Sequence, residues 1–502
     1  MTMSIEERQR QHELLRARGI CAVIPTYNNA GTVGQVVRET LLYCADVIVV
    51  NDGSTDGTAS LLGEMKGITL VEYPQNRGKG YALKRGFRKA REMGFAYAIT
   101  LDADGQHYPA NITDFLRANQ EHPGALIVGS RRLEGVERSR GSAFANAFSN
   151  FWFRVQTGQK LRDTQTGYRL YPLKKLHGLS LLTSRYEAEL ELLVFSSWHG
   201  VPLVEIPIDV YYPPMEERIS HFRPAADFSR ISILNTVLCL LALIYGLPLR
   251  LWRFLAKLGR TLFSLLFFLV AWLLVVPVLW GYVHVGPVTE RKRYQVRQVM
   301  SAFARLVMLH VGIPGTRFTY QVAECITFDK PRIVICNHQS HLDLMCQLFL
   351  SPKLTFLTND WVWNNHIYGF LIHTAEYYPV SSGLDEMLPK LRSLVERGYS
   401  ISVFPEGTRS KDCRIGRFHQ GAFYLAEQLG VEILPIYLYG PGKVLPKKTY
   451  SLRKSPIYVE VGEPITLERL RAMGDHRQQA SQMRQHYVQH YTDICNRLER
   501  DV

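Results

Sequence analysis

The 502-residue chain has room for two or three domains, and a 46% hydrophobic share supplies a core for each, which excludes a disordered chain. A formal net charge of +14 at pH 7 suits anionic partners such as lipid head groups and phosphorylated substrates. The charge is spread out rather than gathered into a nucleic-acid module or a long basic tract, so no nucleic-acid partner is expected. Residues 1–18 are polar and charged with no apolar centre, and read as a solvated helical lead-in rather than a secretory signal. The eight cysteines are scattered without a CxxC pair, which fits reduced, mostly buried thiols in a cytosolic setting.

Residues 19–230 make the first expected domain. Ile20-Cys-Ala-Val-Ile24 and Asp46-Val-Ile-Val-Val50 are short apolar runs separated by a helical pattern, which predicts parallel strands with ligands at their carboxyl ends. Those ends carry the polar turns Pro25-Thr-Tyr-Asn-Asn29 and Asn51-Asp-Gly-Ser-Thr-Asp-Gly57. A third run, Ala96-Tyr-Ala-Ile-Thr-Leu101, leads into Asp102-Ala-Asp-Gly-Gln-His107. Two carboxylates two residues apart, just past a strand end, can share Mg²⁺ or Mn²⁺ with a diphosphate, because both donors are hard oxygens. Alone, such a pair is more often a solvated turn.

Its company is more specific. Pro25-Thr-Tyr27, Asn51–Asp56, Asn76-Arg-Gly-Lys-Gly80, Asp102–Gln106, Gly129-Ser-Arg131 and Asp163-Thr-Gln-Thr-Gly-Tyr-Arg169 resemble, in order and spacing, the family 2 glycosyltransferases, especially the dolichol-phosphate mannose synthase-like branch. The resemblance implies a GT-A, Rossmann-like fold that transfers a sugar from a nucleotide donor with inversion. It assigns Pro25, Tyr27, Asp52 and Lys79 to the nucleotide sugar, and Asp102, Asp104 and Gln106 to the metal. Arg131 and Arg140 match positions that bind an acceptor phosphate. The acidic residue that the family carries after the tyrosine of its first turn is Asn29 here. A lipid-phosphate acceptor needs no general base, whereas a hydroxyl acceptor does. Glu191 matches the family's glutamate for that role, and Glu187, four residues earlier, shares its helical face or is simply solvated. Arg223, in Ser220-His-Phe-Arg223, reads either as a lid over the diphosphate or as a membrane-surface anchor.

Between residues 231 and 289, the runs Ile231–Leu249 and Thr261–Val285 contain no Asp, Glu, Lys or Arg. Each reaches the ~20 apolar residues that a bilayer crossing needs. The segment between them carries Arg250, Arg253, Lys257 and Arg260, and further cations lie on both flanks. Positive flanks prefer the cytoplasm, so a hydrophobic membrane hairpin is expected, facing the cytoplasmic side of the inner membrane and in contact with its lipids.

Residues 290–502 make the second expected domain. The strand Arg332-Ile-Val-Ile-Cys336 runs into Asn337-His-Gln-Ser-His-Leu-Asp343. His338 and Asp343 can meet only if the histidine sits on the turn and the aspartate in the first helical turn. There the carboxylate would orient an imidazole able to deprotonate a hydroxyl. Val403-Phe-Pro-Glu-Gly-Thr-Arg-Ser410, Arg417-Phe-His-Gln-Gly-Ala422 and the strand Ile433-Leu-Pro-Ile-Tyr437 follow. Together these resemble the glycerolipid acyltransferases related to 1-acylglycerol-3-phosphate acyltransferase. The resemblance implies an α/β acyltransferase with His338 as base, Asp343 as its partner, and Glu406, Gly407, Thr408 and Arg409 shaping the acceptor site. The acyl donor would be a thioester of coenzyme A or acyl carrier protein. Ser381 stands where the family carries a phosphate-binding arginine, which opens the acceptor to a neutral hydroxyl. The expected whole is a membrane-associated enzyme of glycolipid or lipid-like metabolite synthesis with two transfer activities.

Overall fold

A computed structural model describes residues 4–132, 140–179, 182–211, 224–309, 312–324 and 326–501. It divides into two compact units, Met1–Arg253 with Asn496–Val502, and Phe254–Cys495.

The first unit is built on a seven-stranded sheet: β1 (Ile20–Thr26), β2 (Val47–Asn51), β3 (Ile68–Glu72), β4 (Tyr97–Thr100), β5 (Leu126–Arg131), β6 (Arg169–Pro172) and β7 (Leu203–Ile208), in the order β3-β2-β1-β4-β6-β5-β7. β1 is buried along its whole length, and alternate residues face opposite layers. Ile20, Ala22 and Ile24 join a core with Val33, Val37 and Phe115, while Cys21 and Val23 join one with Ala82, Leu193 and Trp198. The sheet is mixed rather than wholly parallel, because β6 runs against both β4 and β5. Arg169-Leu-Tyr-Pro172 is too short to show an alternating pattern, and its direction comes from its two neighbours. Helix Ile5–Arg18 starts at a capping box formed by Ser4 and Glu7. It is more than a solvated lead-in, since Leu15 is buried in the first core.

The second unit is also a seven-stranded mixed sheet: β8 (Phe318–Val322), β9 (Ile333–Cys336), β10 (Leu354–Thr358), β11 (Tyr378–Pro379), β12 (Ser400–Val403), β13 (Ile433–Tyr439) and β14 (Ile457–Val461), in the order β11-β10-β12-β9-β13-β14-β8. β9 lies between parallel neighbours β12 and β13, and all four of its residues are buried. Its carboxyl end therefore opens beside those of β12 and β13. Among the described residues no disulfide joins the cysteines.

The expected hairpin is absent. Helix Pro224–Leu241, a π turn over Ala242–Gly246 and helix Leu247–His284 follow one another without a reversal. The basic segment consists of good helix formers, chiefly Leu, Arg, Lys and Ala, so its charges do not break the backbone. Pro248 follows directly on the π turn, which marks the place where a proline without an N–H interrupts the helical ladder without reversing the chain. Among the described residues, Ser229–His284 is the one helix long and apolar enough to cross a membrane. Its apolar side chains stand exposed on several faces, including Leu273, Leu274, Val278 and Trp280.

Candidate active sites

In the first unit, β1, β2 and β4 are parallel neighbours and deliver their following turns to one edge. The first two turns are laced together. Asn28 N–H donates to Ser54 Oγ at 3.0 Å, Thr55 N–H to Asn28 Oδ1 at 2.8 Å, and Asn29 N–H to Thr58 Oγ1 at 3.0 Å. Asn28 takes a left-handed φ of 52° to make these bonds. Pro25 is buried at the strand end, and Tyr27 is partly exposed beside it. Asp52 is buried, and its two oxygens accept the N–H groups of Arg77 and Gly78, each at 2.8 Å. Asp52, expected at the nucleotide sugar, thereby orders the 76–78 turn. Gly53 permits this approach: its φ is +67°, and a Cβ there would lie 2.5 Å from the carbonyl carbon of Gln75.

The third turn holds the charged centre. Lys79 Nζ lies 2.6 Å from Asp102 Oδ1 and 2.9 Å from Glu189 Oε2. Burial disfavours the ammonium, but the two carboxylates more than offset it and hold its pKa above the usual lysine range. Burial likewise opposes the Asp102 carboxylate, yet Lys79 and His107 keep its pKa low. Asp104 is shifted upward, first by burial and then by the charge of Asp102. His107, under Tyr168, is held below the usual imidazole range by burial. The Asp102 N–H donates to His107 Nδ1 at 3.3 Å. Gly167 passes so close that a Cβ would sit 2.5 Å from Asp102 Oδ2.

This donor set fits a hard divalent cation. Asp102 and Asp104 both offer carboxylate oxygens, and burial and the charge of Asp102 make the Asp104 carboxylate unfavourable, a cost that a cation would relieve. Among the described residues no cluster of three or more protein metal ligands forms. Mg²⁺ commonly takes only one or two carboxylates and completes its shell with substrate phosphates and water. Gln106 enters this turn through its backbone, donating its N–H to Asp104 Oδ1 at 3.0 Å.

Other expected residues are redistributed. Arg131 is gripped by Asp163, with Nε 2.5 Å from Oδ2 and Nη2 2.9 Å from Oδ1. Helix Arg140–Thr157 begins at Arg140, but the side chain of Arg140, and all of Arg223, lie outside the described residues. Glu191 does not reach the charged centre. It is wholly buried and accepts Leu182 N–H at 2.5 Å, Thr183 N–H at 2.9 Å and Thr183 Oγ1–H at 2.6 Å. The carboxylate that faces the site is Glu189, whose second oxygen, Oε1, is buried without a hydrogen-bond partner. Sequence alternation over Glu187, Glu189 and Glu191 does not reveal which side of a helix meets the sheet edge.

In the second unit, Asn337 locks the end of β9 to β13. Its Nδ2 donates to Leu438 O at 2.9 Å, and its Oδ1 accepts Leu438 N–H at 2.8 Å. His338 follows on the turn, and Asp343 lies in the first turn of helix Leu342–Leu350. His338 Nδ1 and Asp343 Oδ2 are 2.8 Å apart. The same oxygen accepts the N–H groups of Gln339 at 2.6 Å and Ser340 at 2.8 Å. Nδ1 is thereby committed, and Nε2 is the ring nitrogen that Asp343 does not engage. The imidazole stacks on Phe404, with ring centroids 4.0 Å apart.

The β12 turn supports this histidine from behind. Glu406 Oε1 accepts His338 N–H at 2.9 Å, and Oε2 accepts Gly416 N–H at 2.6 Å. Ser410 N–H donates to His338 O at 2.7 Å. Glu406 thus acts on the backbone of His338. Gly407 turns with φ +66°, and Thr408 and Arg409 lie between it and Ser410. Ser381, in the Val380–Ser382 turn after β11, donates its hydroxyl to Asp360 Oδ1.

Residues 21–176 match the family model described as glycosyl transferase family 2, and residues 317–439 match the one described as acyltransferase. The chain joins a family 2 glycosyl transferase region to an acyltransferase region. The glycosyl transferase region is similar to UDP-N-acetylglucosamine–dolichyl-phosphate N-acetylglucosaminyltransferase of Methanococcus voltae, at 28% identity over 38% of this chain and 86% of that protein. It is also similar to undecaprenyl-phosphate mannosyltransferase of Micrococcus luteus, at 28% identity over 38% of this chain and 82% of that protein. The acyltransferase region is similar to a chloroplastic 1-acyl-sn-glycerol-3-phosphate acyltransferase of Brassica napus, at 34% identity over 27% of this chain and 41% of that protein. The match therefore spans less than half of that plant enzyme's length.

Proposed function

We propose that the chain is a membrane-associated enzyme with two transfer activities in glycolipid or lipid-like metabolite synthesis. Its first region transfers a sugar from a nucleotide sugar, and its second transfers an acyl group from a coenzyme A or acyl carrier protein thioester to a hydroxyl. The observation that carries the reading is the His338–Asp343 contact of 2.8 Å, which leaves Nε2 for the acceptor hydroxyl. The hydroxyl oxygen attacks the thioester carbonyl while Nε2 takes its proton, and the thiolate leaves as the tetrahedral intermediate collapses. Phe404 fixes the plane of the ring, and Glu406 fixes the backbone that carries it.

For sugar transfer, Asp102 and Asp104 would hold Mg²⁺ or Mn²⁺, which supplies positive charge to the diphosphate leaving group. Lys79 adds a fixed cation beside them, and Glu189 keeps that lysine charged. The two named relatives use different sugars on polyprenyl phosphates, which favours a lipid-phosphate acceptor and leaves the sugar open. Such an acceptor is already an anionic nucleophile, and the engagement of Glu191 elsewhere agrees with a reaction that needs no base there. Nucleotide sugars and acyl thioesters are cytosolic, so both regions would work on the cytoplasmic side of the inner membrane, beside the apolar helix.

The test is mass spectrometry of lipid extracts from cells carrying the parent chain, Asp104→Ala or His338→Ala. If the reactions run in sequence, Asp104→Ala removes a sugar-bearing lipid and His338→Ala accumulates that lipid without one acyl chain. Changes in unrelated lipids would separate the two activities. An unchanged lipid profile in both variants would sink the reading.

A further inference from the structure

Strands β11, β10, β12 and β9 lie side by side and run parallel, so the segments that follow them emerge from one edge of the second sheet. His338 follows β9 and Glu406 follows β12. The segments after β10 and β11 therefore continue that edge away from the histidine and form a rim beside the acyl site.

This rim is apolar where a solvated loop would be polar. Trp361 is 59% exposed, Ile367 55% and Val380 52%. Lone exposed apolar side chains are ordinary, but these three are gathered on one small structure. Ser381 donates its hydroxyl to Asp360 Oδ1, which sets Val380 beside Trp361. Asn364 N–H donates to Asp360 O at 2.8 Å and Ile367 N–H to Asn365 Oδ1 at 2.9 Å, which folds residues 360–367 into two consecutive turns. Trp363 is half-buried, with its ring 4.1 Å from that of His373 and 6.0 Å from that of Tyr378, and anchors the segment to β11. Trp361 and Ile367, on either side of it in sequence, stay in the open.

The rim is also continuous with the apolar helix. Phe370 and Leu371, just past Ile367, pack on Leu279, Val283 and Val296. His284 stacks on the exposed Trp280, with ring centroids 4.5 Å apart, and its ring lies 6.2 Å from that of Phe370. Apolar surface thus runs from the last turns of helix Leu247–His284 across helix Gly369–Thr374 to the rim. A docked protein would cover one face of such a helix, whereas its exposed apolar side chains stand on several faces, which hydrocarbon covers at once. The occupant that suits helix and rim together is a lipid bilayer. Tryptophan fits that boundary, with an apolar ring and one N–H for the head groups.

We propose that Trp361, Ile367 and Val380 insert into the lipid surface, so that the acyl site opens onto the bilayer and receives its acceptor from the membrane plane. This rests on the reading of the apolar helix as membrane-associated, and adds a second lipid contact made by the acyltransferase sheet itself. An acceptor with long chains then reaches His338 by lateral movement, without its chains crossing water.

The experiment reconstitutes the purified full-length chain and its Trp361→Phe, Trp361→Gln and Val380→Glu variants in vesicles of dioleoylphosphatidylcholine, with or without a dibrominated phosphatidylcholine. Flotation comes first: every protein should rise with the vesicles, held by the helix. A parent that stays in solution overturns the membrane reading and this proposal with it. The chain has seven tryptophans, so the difference in emission between the parent and Trp361→Phe isolates Trp361. That component should be blue-shifted, quenched by the brominated lipid and shielded from iodide. Val380→Glu, read against its own Trp361→Phe counterpart, puts a charge into the rim and should lose most of the bromine quenching while still floating. A Trp361 component open to iodide and untouched by bromine, in a chain that floats, overturns the rim contact and leaves the helix reading intact. A component shielded from both quenchers overturns it as well, and a dimer turned into a monomer by Val380→Glu on sedimentation would assign the surface to a second copy. Acyl transfer from lauroyl-coenzyme A to monoacylglycerol gives a further readout: Trp361→Gln should lower the ratio of the rate in vesicles to that in detergent micelles, and an unchanged ratio overturns entry through the rim. If the parent transfers nothing, the acyl-transfer reading falls, while the bromine result still decides the lipid contact.

Discussion

Glu406 accepts the backbone N–H of His338 at 2.9 Å, so the glutamate of the second motif positions the histidine of the first without touching its ring. Burial lifts the Glu406 carboxyl above the usual range even though the His338 and Gly416 N–H groups oppose it. Glu406→Gln keeps one acceptor oxygen but turns an amide N–H toward one of those two donors. The expected result is a loss of about 1–3 kcal/mol of stability from the unpaired buried donor. The kcat for acyl transfer should fall with little change in the donor KM. Thermal denaturation and transfer kinetics check this, and native values for both would remove the positioning role.

Asp343 is wholly buried, and burial raises its pKa although His338, Ser340 and Gln339 all donate to it. A raised carboxyl pKa means the folded chain holds that proton more tightly than the unfolded chain. Stability from this group is therefore greatest at low pH and falls as pH rises from the ordinary aspartate value through the raised one. At neutral pH the ionised carboxylate is a stability cost carried for the sake of His338. Asp343→Asn should flatten that part of the pH–stability curve and be at least as stable as the parent at neutral pH. Its kcat should fall by about 10³–10⁴, because the imidazole loses its orienting anion. Denaturant titrations at acid and neutral pH, paired with rate measurements, decide it; a variant that loses stability and rate together would contradict the sign.

Lys79 bridges Asp102 and Glu189 in a largely buried triad. Lys79→Met leaves two carboxylates facing each other without compensation, which should cost about 3–5 kcal/mol. Adding Glu189→Gln removes one of those charges, so the double variant should recover part of the stability but none of the sugar transfer. A double-mutant cycle by denaturation measures the coupling. Additive effects would mean that the three groups do not act as a unit.

How far the sequence could be read depended on how local each feature is. The His338–Asp343 pair was legible because five residues of turn and first helical turn decide it. The first two strands were legible to within two residues for the same reason, since the apolar runs Ile20–Ile24 and Asp46–Val50 stop at polar turns, whereas the strands end at Thr26 and Asn51. Antiparallel β6 was not, because four residues carry no directional signal and their neighbours come from distant parts of the chain. Flanking charge spoke to the membrane preference of the apolar segment but not to its backbone, so the hairpin was misjudged where leucine, arginine and lysine continue a helix. Ser381 lies 21 residues from Asp360, and no local pattern announces their contact.

The choice between Glu189 and Glu191 gives the sharpest test of the sugar-transfer site. Glu191 accepts three donors from residues 182 and 183, so Glu191→Gln loses charge-assisted bonds that hold this segment to its helix. It should lower the melting temperature, and its transfer activity should return as the temperature is reduced and the folded fraction recovers. Glu189→Gln retains an acceptor toward Lys79 but removes the charge beside it, so it should stay folded while kcat for sugar transfer drops at every temperature. The comparison needs only melting curves and initial rates over a temperature series. The reverse pattern, with Glu191→Gln folded but inactive and Glu189→Gln merely unstable, would return the role to Glu191 and require its bonds to Leu182 and Thr183 to open during turnover.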